Sequence, residues 1–169
     1  KSAYPLALLT DLCTERNETV VPSAEFVDEL ILYTGLANIE ARNGQAHQVL
    51  TPSGSLKSAV KRYEPGDIIF ARMRPNLRKI ALMAFDQGGY VSPECSVLSV
   101  RRGSDGEPII QAELLAPLLR SDLVYGQIMH LTAGIGRPRL SATDLRRVLI
   151  PLPPKQVQMA ARQHFESQL

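Results

Sequence analysis

No apolar run in this sequence approaches the roughly 20 residues needed to cross a bilayer. Residues 1–9 (KSAYPLALL) are too short, and too interrupted by Pro5, to make a good signal peptide. Only two cysteines are present, Cys13 and Cys95, far apart and outside any CxxC or His/Cys spacing. That argues against a zinc site and for two free thiols in a cytoplasmic protein. A large net charge is also missing: the balance is +2. Any affinity for a polyanion must therefore come from where the cations sit rather than from their number.

The motifs of catalysis are missing as well. Gly134-Ile135-Gly136 runs into Arg137-Pro138-Arg139 and matches no dinucleotide fingerprint. No GxSxG elbow and no HExxH occurs. His47, His130 and His164 are isolated and read as surface or edge residues. Glu94 beside Cys95 suggests a nucleophile and base, but no histidine follows at a useful spacing, and Cys95 reads better as a small core residue. No acidic cluster suits a metal-dependent nuclease, and no S-adenosylmethionine pocket is evident. Binding is the better class. No catalytic residue, metal ligand or cofactor is expected.

What is there is enough for one domain with a real core: 169 residues, 44% of them hydrophobic. The chain is organised around residues 66–79, GDIIFARMRPNLRK. A turn at Pro65-Gly66-Asp67 leads into the apolar run Ile68-Ile69-Phe70, which reads as a buried strand. The strand delivers Arg72, Arg74, Arg78 and Lys79 with no acid among them, and Pro75 with Asn76 stiffens the middle.

Before it, residues 4–13 read as an entry strand or short helix. Residues 26–33 fit either a helix or a strand. Residues 33–40 suggest a strand and turn, and the polar residues 41–58 a long exposed loop or irregular hairpin. After it, residues 80–85 read as a strand, and residues 90–100 as another, bulged near Pro93. Successive short strands imply an antiparallel meander. Residues 111–131 carry leucines at helical spacing, with Pro117 arguing against one continuous helix and Ser121-Asp122 starting a second. Ser141 can cap a short helix, and residues 148–150 form a last strand. Val157, Ala161 and Phe165 then repeat every four residues, one face of a helix in mid-pattern at the end of the sequence.

The cations come in groups: Lys57, Lys61 and Arg62; the central four; Arg101-Arg102; Arg137 with Arg139; Arg146-Arg147. Most fall in expected loops. Converging loops would make a basic face on a near-neutral protein. Asn38, Arg42, Asn43 and Gln45 have side chains suited to base edges in the major groove.

These segments together resemble the target recognition domain of type I restriction-modification specificity subunits. The resemblance rests on residues 33–40 (YTGLANIE), 66–70 (GDIIF), 74–79 (RPNLRK), 118–121 (LLRS), 132–134 (TAG), 137–140 (RPRL) and 150–154 (IPLPP) followed by Gln156, in that order. It implies an α+β fold: a twisted, mainly antiparallel sheet with a few helices and long DNA-facing loops, then the start of a spacer helix. Residues 1–154 would be the recognition domain and 155–169 the beginning of a helical, coiled-coil spacer. The implied job is to recognise one half of a bipartite double-stranded DNA target for an adenine-methylating complex, without chemistry. The implied partners are DNA, methyltransferase subunits docked on the spacer, and a second recognition domain or a second copy packed through Val157, Ala161 and Phe165. The expected positioning and reading set is Arg72, Arg74, Asn76, Arg78, Lys79, Arg137 and Arg139, with Lys57 as an outlying phosphate contact. Arg42 and Asn43 lie in the variable loop, where base reading is expected. Alternatives are a recognition domain fused to or excised from a single-chain N6-adenine methyltransferase, or a protein-interaction module without DNA binding.

Overall fold

The computed structural model describes residues 3–167, the last three by their backbone alone. In chain order the strands and helices are β1 (Leu6–Leu8), α1 (Leu9–Leu12), β2 (Cys13–Glu15), β3 (Thr19–Val20), α2 (Pro22–Glu25), β4 (Leu30–Thr34), β5 (Val49–Pro52), β6 (Val60–Tyr63), β7 (Ile68–Ala71), β8 (Ile80–Leu82), β9 (Gly89–Val91), β10 (Cys95–Val100), α3 (Ala112–Leu119), α4 (Asp122–Ile128), α5 (Ala142–Arg146), β11 (Leu149–Pro151) and α6 (Lys155–Ser167). The architecture is α+β. A four-stranded antiparallel sheet, β2-β10-β7-β8, faces a five-stranded sheet, β3-β6-β9-β4-β5, whose one parallel pair is β4 with β9. A two-stranded ribbon, β1-β11, closes the ends of the domain on each other.

The organising strand is β7, and its four residues are all buried. Alternating side chains explain why. Ile68 and Phe70 point into a core shared with Leu12, Leu115, Leu119, Val124 and Leu145, contributed by the helices. Ile69 and Ala71 point the other way, into a core with Tyr63 and Val91 of the five-stranded sheet. A strand buried on both faces carries no polar alternation, which is why IIFA reads as a continuous apolar run. The expected turn precedes it. Asp67 Oδ2 accepts from the Glu64 N–H at 2.9 Å, and the buried carboxylate also takes Arg16 Nε at 2.9 Å, which holds the Arg16 guanidinium above its ordinary pKa.

Several expectations change in the folded chain. Of residues 26–33, the first half is a turn and only the second half is a strand, β4, and the polar stretch after it is an irregular hairpin, since β5 returns antiparallel to β4. Residues 90–100 are not one bulged strand. The turn at Ser92–Glu94, closed by Cys95 N–H to Ser92 O at 3.1 Å, passes the chain from β9 in one sheet to β10 in the other. The simple meander therefore ends at β8. Buried Gly89 is what lets β9 sit between β4 and β6. A Cβ there would lie 2.7 Å from Leu32 O and 2.8 Å from Tyr63 Oη. β6 had no counterpart in the sequence reading, because Lys61 and Arg62 interrupt its apolar pattern. Lys61 runs its stem inward and donates to Cys95 O at 2.9 Å. Burial pulls its ammonium below its ordinary pKa, against the opposing pull of Glu15.

Pro117 lies inside α3 on an exposed face, and the helical stretch breaks instead at Arg120-Ser121. Ser121 starts α4 as expected, but its hydroxyl donates back to Leu118 O at 2.6 Å rather than capping forward. Ser141 caps α5, accepting from Asp144 N–H at 3.0 Å. In α6 the residue that faces the domain is Gln158, 3% exposed. It accepts from Gln111 N–H at 2.8 Å, at the start of α3, and donates to Pro153 O at 2.9 Å. Ala161 is half-buried and Val157 stays exposed, while the side chain of Phe165 and all of Leu169 lie outside the described residues. Among the described residues no helix is long and apolar enough to cross a membrane.

Candidate nucleic-acid interface

Three loops converge at the end of β7. The first is residues 72–79, which leave β7 and return as β8. Arg74 and Arg78 both hold the left-handed backbone region, at φ 50° and 51°, on either side of a 3-10 turn at Pro75–Leu77. The second is residues 132–140. It lies along the first through Arg74 N–H to Pro138 O at 2.7 Å and Leu140 N–H to Arg72 O at 2.9 Å. The third is residues 41–45, joined by Arg42 N–H to Arg78 O at 3.1 Å. Main-chain bonds between loops distant in sequence thus assemble one surface.

The cations of this surface divide in two. Arg72 donates Nη1 to Leu140 O at 3.1 Å, and Lys79 donates Nζ to Leu36 O at 2.8 Å. Arg78 donates to Arg120 O at 3.1 Å, pairs with Asp122 at 2.8 Å and stacks its guanidinium 4.7 Å from the centre of the Tyr125 ring. These three are partly buried and bound to the protein's own carbonyls. Arg139 is more exposed but is held by Glu94 at 2.8 Å. Arg42, Arg74 and Arg137 are exposed, and among the described residues their side chains have no hydrogen-bond or ion-pair partner. Exposed Asn76 lies beside Arg74, while exposed Asn43 donates to Glu40 and accepts from Gln45 N–H. Lys57 is exposed and belongs to a different neighbourhood, fastened to α2 through Ser23 N–H to Leu56 O.

Between the first two loops opens a cleft of about 600 Å³, walled by Arg74, Asn76, Tyr125, Met129, Thr132 and Gly136. A smaller hollow of about 290 Å³ has an apolar floor of Leu36, Met73 and Leu77 and a rim of Arg74, Lys79 and Arg137. Cationic rims over shallow apolar floors suit a ligand with charged edges and flat, partly apolar faces.

The cation groupings in the sequence omit Arg120, which joins the loops from below. Its Nη1 donates to Ile80 O at 3.0 Å, its carbonyl takes Arg78, and its guanidinium lies against Gly44. Burial lowers its pKa from the ordinary arginine value. Gly44 is at φ 77°, and a Cβ there would lie 2.5 Å from Arg120 Nη1. Arg120 falls in the shared 118–121 segment, but no local pattern gives its role, since its partners come from three other segments. In the Glu94–Cys95 pair, Cys95 is buried, its thiol pushed up to about 12, and Glu94 is turned to Arg139.

No family model and no curated protein matches the chain. Solved structures do. A chain from a structure described as the basis of complex assembly and conformational transition of the type I R-M system superposes with a TM-score of 0.79 at 24% identity, over 99% of this chain and 43% of that one. The HsdS subunit from Thermoanaerobacter tengcongensis gives 0.76 at 25% identity, over 97% of this chain and 40% of that one. The fold is that of a type I specificity-subunit recognition domain. The type I S subunit from M. genitalium shares it at a TM-score of 0.60 and 12% identity, with 96% and 39% of the two chains covered. The chain thus spans about two fifths of the length of these specificity subunits.

Proposed function

We propose that this chain binds double-stranded DNA and recognises one half of a bipartite target for a type I restriction-modification complex. The observation that carries the reading is the convergence of three loops presenting Arg42, Arg74 and Arg137 unpaired on one surface of this fold. Guanidinium groups without internal partners are free to neutralise phosphates, which supplies salt-dependent affinity blind to sequence. Asn43 and Asn76, exposed among them, would read base edges, a good bidentate pair giving about 1–3 kcal/mol of discrimination. Arg72, Arg78 and Lys79 act as positioning residues that fix the loops, Arg139 works through Glu94, and Lys57 makes an outlying phosphate contact. The chain does this without chemistry of its own, as a cytoplasmic specificity component.

Residues 1–154 form the recognition domain, and 155–169 begin the helical spacer on which methyltransferase subunits and a second recognition domain or second copy would pack. The exposed side chain of Val157 supports that part of the reading, since it leaves an apolar residue of α6 without cover from the domain. Selection from a pool of randomised duplexes at two salt concentrations, with the bound fraction sequenced, tests the reading. Enrichment of a short motif that weakens steeply with salt is expected. No retention even at low salt would overturn it.

A further inference from the structure

The most exposed large apolar side chain among the described residues is Ile135, at the tip of the loop 132–140. Single exposed apolar residues are common on protein surfaces. This one differs in how it is held. Gly134 and Gly136 on either side have φ of 102° and 79°, so the backbone turns at the tip and leaves the side chain standing away from the domain. The stem below is closed by a reciprocal pair, Ala133 N–H to Arg139 O at 3.1 Å and Arg139 N–H to Ala133 O at 2.9 Å. It is fastened to the loop 72–79 by Arg74 N–H to Pro138 O at 2.7 Å, and to Glu94 through Arg139. An anchored stem therefore carries an unpacked, β-branched tip, with unpaired Arg137 two residues on and unpaired Arg74 at its root.

Resting on the DNA-binding reading above, we propose that Ile135 is a wedge that enters a base step of the bound duplex and unstacks it, while Arg137 holds the adjoining phosphate. The chemistry fits. Isoleucine is among the side chains that proteins insert between base pairs, and its removal from water between two aromatic faces offsets part of the unstacking cost. Its stiff χ1 loses little freedom on insertion. The charged stem supplies the phosphate contacts that hold a kinked duplex in place.

The test uses the whole 169-residue chain and two duplexes of one sequence at low salt, one intact and one with a central mismatch. A mismatched step is already partly unstacked, so a wedge should prefer it, by about tenfold in affinity. Ile135→Ala should reduce that preference to below about twofold, and Ile135→Phe should keep it. Arg137→Ala should weaken both duplexes alike and leave the ratio unchanged. Equal affinity of the unaltered chain for the two duplexes, or an unchanged ratio in Ile135→Ala, overturns the wedge while DNA binding stands. No binding to either duplex removes both readings. Ile135 packs on nothing, so an unchanged circular-dichroism melt separates these outcomes from misfolding.

Discussion

The loops 72–79 and 132–140 lie side by side and are both rich in arginine, yet they use it differently. In the first, Arg72, Arg78 and Lys79 turn inward to the carbonyls of Leu140, Arg120 and Leu36. Only Arg74 of its four cations points out without a partner. In the second, Gly134 and Gly136 turn the tip of the loop away from the domain, so Arg137 and Ile135 stand in solvent while Leu140 at its end is buried. The lesson is that a cation's role follows from the acceptors within reach. Loop 72–79 is flanked on three sides by backbone carbonyls within reach of its donors, those of Leu140, Arg120 and Leu36. Hydrogen bonds from cationic donors to those carbonyls stabilise the fold and leave fewer charges for a ligand.

The sharpest way to break this contrast is Arg78→Ala. The variant loses a charge-assisted hydrogen bond to Arg120 O and the contact with Tyr125. A loss of about 2–3 kcal/mol in denaturant unfolding is expected. The ion pair with Asp122, whose side chain is 94% exposed, adds little to that. A variant as stable as the parent would mean that Arg78 is a ligand-facing cation after all.

Gly44→Ala should cost less, about 1–2 kcal/mol, because it strains a left-handed residue and pushes on a guanidinium that can swing aside. If the Arg120 contact is what matters, the double variant Gly44→Ala/Arg120→Ala will be less destabilised than the sum of the two single ones.

The smallest stability effects belong to the outward cations. Arg74→Ala and Arg137→Ala should each change unfolding by less than about 0.5 kcal/mol. Each should lower the slope of log affinity against log salt by about 1, on all duplex sequences alike. A loss confined to one target sequence would turn that residue from a phosphate contact into a base reader.

Much of the domain was legible from periodicity and punctuation. The turn at 65–67, the buried run of β7, the cap at Ser141 and the start of α4 at Ser121 all follow from local rules. So does the placing of Arg74, Arg137 and Arg42 in loops. The misreadings share one cause. β6 was hidden because a lysine and an arginine can lie in a strand when the lysine stem is covered and their heads find Cys95 O, Glu18 and Glu64. Residues 90–100 looked like one strand because both halves are apolar, and only the arrangement of two sheets shows that the chain changes layer at Pro93.

The sequence by itself determined the longer elements, their approximate order and the positions of the charges, because turns, caps and apolar periods act over a few residues. It also determined which backbone could stand in the left-handed region at Gly134 and Gly136. Only the tertiary structure decided which cations are spent inside and which remain outside. That choice depends on carbonyls brought from 40 or more residues away, as with Arg78 and Arg120, or Arg72 and Leu140. Contacts of that range leave no trace in local pattern, because closing the long loop between them is a property of the whole fold.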